Sequence, residues 1–169
     1  MYKVWKFQFF VTFIIGYTLS ITGGIIMGNK SILTNTIEKG NLYSWSDKII
    51  LVAEDIELNF LYISEILKPT GAILLRAENG KIAVDYCKNN PDIQIVLMDI
   101  YMPVMNGYEA TRQIKAMRHD LPIIAQTAYA LADDRIKAKE AGCDDFIAKP
   151  IGKEELLNLI QAHLVYSKA

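Results

Sequence analysis

Cysteine is scarce in this chain: Cys87 and Cys143 are the only two among 169 residues. Two cysteines are too few for a disulfide framework, and neither lies in a C-x-x-C or metal-type spacing. Both are expected to be reduced and partly buried, as fits a cytosolic domain. Histidine is equally scarce. The only two, His119 near a helix end and His163 in the last helix, read as ordinary surface or partly buried side chains. No charge sign is in excess either, since 18 basic and 19 acidic residues leave a net charge of −1. A global basic field is therefore absent, which argues against direct nucleic-acid binding. What is abundant is apolar side chain, 51% of the residues. That is enough for one buried core and too much for a disordered chain.

The charges are unevenly spread. Lys3, Lys6, Lys30 and Lys39 against Glu38 make the first 46 residues +3, so the remainder carries −4. Between Phe7 and Asn29 no residue is charged (FQFFVTFIIGYTLSITGGIIMGN). A helix needs about 20 apolar residues to span a bilayer, and this run has the length. Gln8, Thr12, Thr18, Ser20 and Thr22 interrupt it, and Gly16, Gly23 and Gly24 weaken a helix in water more than in lipid. Residues 1–30 are read as a hydrophobic segment that associates with a membrane through residues 7–29. A cleaved signal peptide is the alternative, but no A-x-A site follows the run. A remnant of a larger protein is a third reading. Residues 31–46 are mixed, polar and broken by Gly40, and read as a linker.

From Asp47 the pattern changes. Five short apolar runs occur: Lys48–Ala53, Ala72–Ala77, Ile93–Met98, Pro122–Gln126 and Asp144–Ala148. Helical spacing fills the gaps. Leu58, Leu61, Tyr62, Ile66 and Leu67 form one expected face; Ile82, Ala83, Tyr86 and Cys87 a second; Tyr108, Thr111, Ile114 and Ala116 a third. Ile136, Lys139 and Glu140 belong to a more exposed helix, and Leu156, Leu157, Leu159, Ile160 and Leu164 to the last. Breakers such as Asn79-Gly80, Asn106-Gly107, Gly142 and Pro150 separate the elements. Five strand–helix alternations predict an α/β fold, a doubly wound five-stranded parallel sheet over residues 47–169.

In such sheets the ligand site lies beyond the carboxyl ends of the strands. Those ends carry Glu54 and Asp55 after the first strand, Asp99 after the third, Thr127 after the fourth and Lys149 after the fifth. The second strand contributes no comparably informative residue. Three carboxylates on one rim repel each other, and a divalent cation relieves the conflict. Mg²⁺ takes oxygen ligands and is typically held by one or two carboxylates with a phosphate. A lysine and a hydroxyl beside it suit phosphoryl transfer, which needs positioning and neutralised charge. A carboxylate can itself be the nucleophile and form an acyl phosphate. Taken singly, each residue has a plainer role: Glu54, Asp55 and Thr127 as helix caps, Lys149 as a surface lysine. Their convergence from four strands is what favours a site.

These residues resemble a known family. Asp99-Ile-Tyr-Met-Pro-Val-Met-Asn-Gly107 is similar to the phosphoacceptor loop of response-regulator receiver domains. Glu54-Asp55 resembles the acidic pair, Thr127-Ala128 the hydroxyl segment, and Lys149-Pro150 the Lys-Pro after the last strand. The wording of Gln126–Ala130 and Asp134–Pro150 is most similar to receivers of hybrid sensor histidine kinases. The resemblance implies the flavodoxin-like receiver fold, with Asp99 as the phosphorylated residue. It implies Mg²⁺ bound by the side chains of Asp55 and Asp99, by Glu54 through water, and by the backbone carbonyl of Tyr101. Thr127 and Lys149 would contact the phosphoryl oxygens. Phe146 holds the switch-aromatic position, so that phosphorylation would alter the face made by the fourth helix, the fifth strand and the last helix. Tyr101 and Tyr129 flank the site, where bulk would slow hydrolysis of the phosphoryl group.

The expected function is that of a phosphoacceptor in a two-component phosphorelay, not a kinase. The histidines lack a phosphoacceptor-helix context and no Gly-rich nucleotide loop is present. The donor is expected to be a histidine kinase or a histidine phosphotransfer protein. No output segment is expected after the last helix. Two other classes use the same residues. An aspartate-nucleophile phosphatase usually has a second Asp two residues on, where this chain has Tyr101. A pseudo-receiver that is never phosphorylated is at odds with an intact Glu54, Asp55, Asp99, Thr127 and Lys149. A phosphoryl supply derived from ATP places the receiver in the cytoplasm, with the chain anchored at the inner membrane if residues 7–29 insert.

Overall fold

The computed structural model of the protein describes residues 43–128 and 132–166. The hydrophobic segment at 7–29, the linker residues 31–42 and Tyr129 lie outside the described residues. Among the described residues no helix is long and apolar enough to cross a membrane.

Strands and helices alternate as β1 (Ile49–Ala53), α1 (Glu57–Leu67), β2 (Ile73–Ala77), α2 (Gly80–Asn89), β3 (Ile93–Asp99), α3 (Gly107–Met117), β4 (Ile123–Thr127), α4 (Ala132–Ala141), β5 (Asp145–Ala148) and α5 (Lys153–Tyr166). The strands pair in parallel in the order β2-β1-β3-β4-β5. Each strand is a nearly unbroken apolar run because helices cover both faces of the sheet. Alternate residues feed opposite layers. Ile50, Val52, Ile95, Leu97, Ile124 and Ile147 pack with Ile63, Ile66 and Leu67 of α1 and Leu156, Leu157, Ile160 and Leu164 of α5. Leu51, Ala53, Val96, Met98 and Ile123 pack with Ala83, Val84 and Cys87 of α2 and Ala110 and Ile114 of α3. The expected doubly wound parallel sheet is therefore present, and its strand order reverses between β1 and β3.

Three helix faces turn differently from the sequence reading. In α1 the buried stripe is Ile63, Ile66 and Leu67, whereas Leu58, Leu61 and Tyr62 are exposed. The helix has apolar residues on more than one side, so spacing alone does not choose the face. In α2 the buried residues are Gly80, Ala83, Val84 and Cys87, and Ile82 and Tyr86 stand at the rim. In α3 Ala110, Thr111 and Ile114 are buried while Ala116 is exposed. The expected linker also ends earlier than Ser46. Trp45 is 2% exposed, packs in the α1–α5 layer with Tyr43 against it, and donates from Nε1 to Gln161 Oε1 at 2.8 Å.

The loops at the carboxyl ends are held by short-range devices. Asn79 and Asn106 cap α2 and α3, accepting from Ile82 N at 3.0 Å and Glu109 N at 2.9 Å. Gly107 lets α3 begin directly against β3. A Cβ there would sit 2.3 Å from the Asp99 carbonyl oxygen. This close approach returns the 100–106 loop to the sheet, with Gly107 N donating to Ile100 O at 2.9 Å.

Candidate functional site

β1, β3, β4 and β5 end side by side, so the residues at their ends meet. Asp99 is the last residue of β3 and Thr127 the last of β4. Lys149 follows β5 and donates its backbone N–H to Thr127 O at 2.8 Å, which aligns the two strand ends. Glu54 follows β1 and donates its N–H to Ala77 O at 2.9 Å.

The side chains form one charged cluster. Lys149 Nζ donates to Glu54 Oε2 at 2.6 Å and to Asp99 Oδ2 at 2.7 Å. Glu54 is fully buried and Asp99 is 2% exposed, so each carboxylate needs a strong partner to offset lost hydration. Glu54 also accepts from Ile56 N at 3.2 Å and Asn59 Nδ2 at 2.9 Å. Tyr101 N donates to Asp99 Oδ1 at 3.1 Å, so the two oxygens of Asp99 have different partners. Burial pushes the Glu54 carboxyl above its usual range, and Asp99 adds to the rise while Lys149 opposes it. Burial alone would lower the Lys149 ammonium, but Asp99 and Glu54 outweigh it and the net shift is upward.

One oxygen from each of Glu54, Asp55 and Asp99 lies within 4.8 Å of the others. Asp55 Oδ1 is buried and has no hydrogen-bond partner among the described residues. Hard oxygen donors with an orphaned carboxylate oxygen among them fit a small divalent cation. Glu54, Asp55, Asp99, Thr127 and Lys149 are thus brought to one rim, Thr127 being 3% exposed. Phe146 stands on β5 against the cluster of Ile100, Ala125 and Ala138, with the Arg135 guanidinium 3.9 Å over its ring centroid.

Several contacts escaped the sequence reading. Asn59 reaches Glu54 from the first turn of α1. Arg76, on the strand whose end looked uninformative, donates to Asp55 O at 3.3 Å. Tyr101, expected to offer its carbonyl and to flank the site with its ring, also donates its hydroxyl to Asp134 of α4 at 3.2 Å. None of these pairs has a local signal, because each depends on how two separate elements are rotated. The histidines and cysteines lie elsewhere. His163 Nε2 is 3.3 Å from Asp145 Oδ2, His119 is exposed, and both cysteines are free.

Comparison with known proteins follows the same lines. Residues 50–161 match the family model described as the response regulator receiver domain. The polar-differentiation response regulator DivK of Brucella anthropi is 33% identical over 121 residues, which cover 69% of this chain and 96% of DivK. A crystal structure of the receiver domain of sensor histidine kinase PA1611 from Pseudomonas aeruginosa, with a magnesium ion coordinated in its active site cleft, is 35% identical. It covers 70% of this chain and 98% of that one, with a TM-score of 0.66. A chain is also similar from the co-crystal structure of the Saccharomyces cerevisiae histidine phosphotransfer signaling protein Ypd1 and the receiver domain of its downstream response regulator Ssk1. There the identity is 25% and the TM-score 0.68, over 73% of this chain and 92% of that one. With its five-stranded parallel sheet and the acidic rim at the strand ends, the chain belongs to the response regulator receiver domain family.

Proposed function

We propose that Asp99 accepts a phosphoryl group, with Mg²⁺ present, from the phosphohistidine of a histidine kinase or a histidine phosphotransfer protein. Asp99 Oδ2 attacks phosphorus, the new O–P bond forms as the P–N bond breaks, and the electron pair leaves with the imidazole nitrogen. Asp99, Asp55, Glu54 and the backbone carbonyl of Tyr101 are the residues that would hold Mg²⁺, which supplies neutralising charge for the transferring group. Lys149 and Thr127 hold the phosphoryl oxygens. Lys149 is already beside Oδ2 at 2.7 Å, so little reorganisation is needed to meet developing charge there.

Readout is through packing. Movement of Thr127 toward the phosphoryl group opens room for the Phe146 ring and changes the face formed by α4, β5 and α5. The chain acts as an acceptor and not as a kinase, and any hydrolysis is that of its own acyl phosphate. The receiver works in the cytoplasm, where phosphoryl donors made from ATP are found, and residues 7–29 associate it with the inner membrane.

The observation that carries this reading is the shared ammonium. Lys149 binds Glu54 and Asp99 at once, beside an Asp55 oxygen with no partner among the described residues. The test is incubation with acetyl phosphate and Mg²⁺ followed by intact-mass measurement. A persistent single phosphoryl adduct that is lost in Asp99→Asn supports it. Rapid turnover of acetyl phosphate points to a phosphatase, and the absence of any adduct to a pseudo-receiver; either result defeats it.

A further inference from the structure

Asp134 lies in α4, away from the acidic rim, yet it is only 8% exposed. A carboxylate that deeply buried is costly unless its oxygens are satisfied. Its Oδ1 accepts from two phenols on two different elements: Tyr101 OH at 3.2 Å and Tyr108 OH at 3.3 Å. Tyr101 stands near the start of the 100–106 loop, and Tyr108 stands just beyond its end in the first turn of α3. One carboxylate therefore ties α4 to both ends of the loop that follows Asp99.

The Tyr101 tie leads straight to the reacting group. Tyr101 receives the pull of Asp134 at its hydroxyl and donates its backbone N–H to Asp99 Oδ1 at 3.1 Å. Burial does not hold the Tyr101 ring, which is 46% exposed. Met102 and Met105 anchor the loop in the core beside α2 and α3, but Val104 between them is 81% exposed and has a φ of 68°. The last torsion of an aspartate is broad, so the carboxylate plane of Asp99 takes its orientation from its hydrogen bonds. With Oδ1 kept by the Tyr101 amide, Oδ2 is the oxygen left beside Lys149 for attack on phosphorus. Placement of this kind is where small shifts have large kinetic effects. Tyr108 remains a donor throughout, since burial, then Asp134 and Tyr101, hold its hydroxyl well above the usual phenol range.

We propose that Asp134 is a positioning residue for phosphoryl acceptance, orienting the Asp99 carboxylate through the side chain and backbone amide of Tyr101. The inference rests on the phosphoacceptor reading of Asp99. Its test is the initial rate of phosphorylation of the full chain by acetyl phosphate with Mg²⁺, in which the Asp99 O–P bond forms and acetate leaves with the electron pair. Tyr101→Phe removes the tie and keeps the ring and the backbone. Asp134→Ala removes it from the other side, and Asp134→Asn keeps an acceptor oxygen.

The rate is expected to fall about fivefold in Tyr101→Phe and in Asp134→Ala, the scale of one hydrogen bond, and to stay within about twofold in Asp134→Asn. Tyr108→Phe takes the other phenol from the same carboxylate and should lower the melting temperature while leaving the rate within about twofold. A merely structural role would lower melting temperatures and move none of the rates. Native-like rates in both Tyr101→Phe and Asp134→Ala, with the adduct still forming, overturn the proposal. So does a loss in Tyr108→Phe equal to that in Tyr101→Phe. Tyr101→Phe alone decides the matter if Asp134→Ala fails to fold, because a half-exposed ring is retained. A native chain that forms no adduct instead removes the Asp99 reading, and this inference with it.

Discussion

Lys149 shares its ammonium between two of the carboxylates that would hold a cation, and replacing it should therefore make the site bind metal better. Its ammonium lies 2.6 Å from Glu54 and 2.7 Å from Asp99, two of the three carboxylates that would hold Mg²⁺. A divalent ion about 5 Å from an ammonium is repelled by about 1.7 kcal/mol even at the dielectric constant of bulk water. Lys149→Met removes that charge and keeps the length of the chain. Mg²⁺ binding, measured by isothermal titration calorimetry, should tighten about tenfold or more.

Without metal the same variant should be less stable. Removing one partner of a buried ion pair costs about 3–5 kcal/mol. Here Glu54 can relieve part of the loss by taking up a proton, because its carboxyl is already shifted upward by burial. A net loss of about 2–3 kcal/mol, or a melting temperature lower by roughly 10 °C, is expected in EDTA. The pH dependence has a definite sign. A carboxyl whose folded pKa is raised contributes its stability below its unfolded value, 4.5 for Glu54, and that contribution is lost as pH rises through the folded value. Loss of Lys149 raises Glu54 further, so the deficit should be larger at pH 8 than at pH 5 and should shrink when MgCl2 is added. Unchanged or weaker Mg²⁺ binding in Lys149→Met would refute the reasoning, as would identical melting of the two proteins in EDTA.

Other predictions concern the frame around the site. Trp45→Ala empties a position that is 2% exposed and breaks the bond to Gln161; a loss of about 3–5 kcal/mol by urea denaturation is expected, and a chain begun at Ser46 should lose a similar amount. Gln126 is fully buried on β4 and neither atom of its amide group has a partner among the described residues. Gln126→Leu should therefore stabilise the fold by about 1–2 kcal/mol, and any loss would mean that the amide has a partner such as a buried water. Cys87 is raised to about 11, chiefly by burial and against the pull of Arg118, from 9.0 when unfolded. Its contribution to stability is complete below pH 9.0 and is lost between there and about 11. Alkylation by iodoacetamide at pH 8 should follow global unfolding, and fast labelling of the native chain would contradict its burial.

The strands could be read because a parallel strand covered on both faces has no polar alternation to disguise it. Ile49–Ala53 is a plain apolar run and Ile93–Met98 is broken only by Gln94, and the residue after each run is by geometry at the sheet's carboxyl edge. The rim of Glu54, Asp55, Asp99, Thr127 and Lys149 was legible for that reason: chain position and spatial position coincide there. Helix rotation offers no such shortcut. Leu58, Leu61 and Tyr62 have the spacing of a buried face, yet Ile63, Ile66 and Leu67 are the residues that meet the sheet. Burial of Ile63, Ile66 and Leu67 sets the rotation of α1 that brings Asn59 to Glu54.

Asp134 shows the same limit more sharply. In a helix whose exposed residues include Arg135, Ile136, Lys137, Lys139 and Glu140, an aspartate beside Asp133 looks like one more solvated charge. Only the rotation that buries Ala138 and Ala141 turns it inward, toward Tyr101 and Tyr108. The residues proposed to touch the phosphoryl group stand at strand ends, where the sequence exposes them to reading. Residues that orient those groups can come from any helix. Combining Asp134→Ala with Tyr101→Phe should slow phosphorylation little more than either alone, because both remove the Tyr101–Asp134 bond; two additive losses of about fivefold each would show that they act separately.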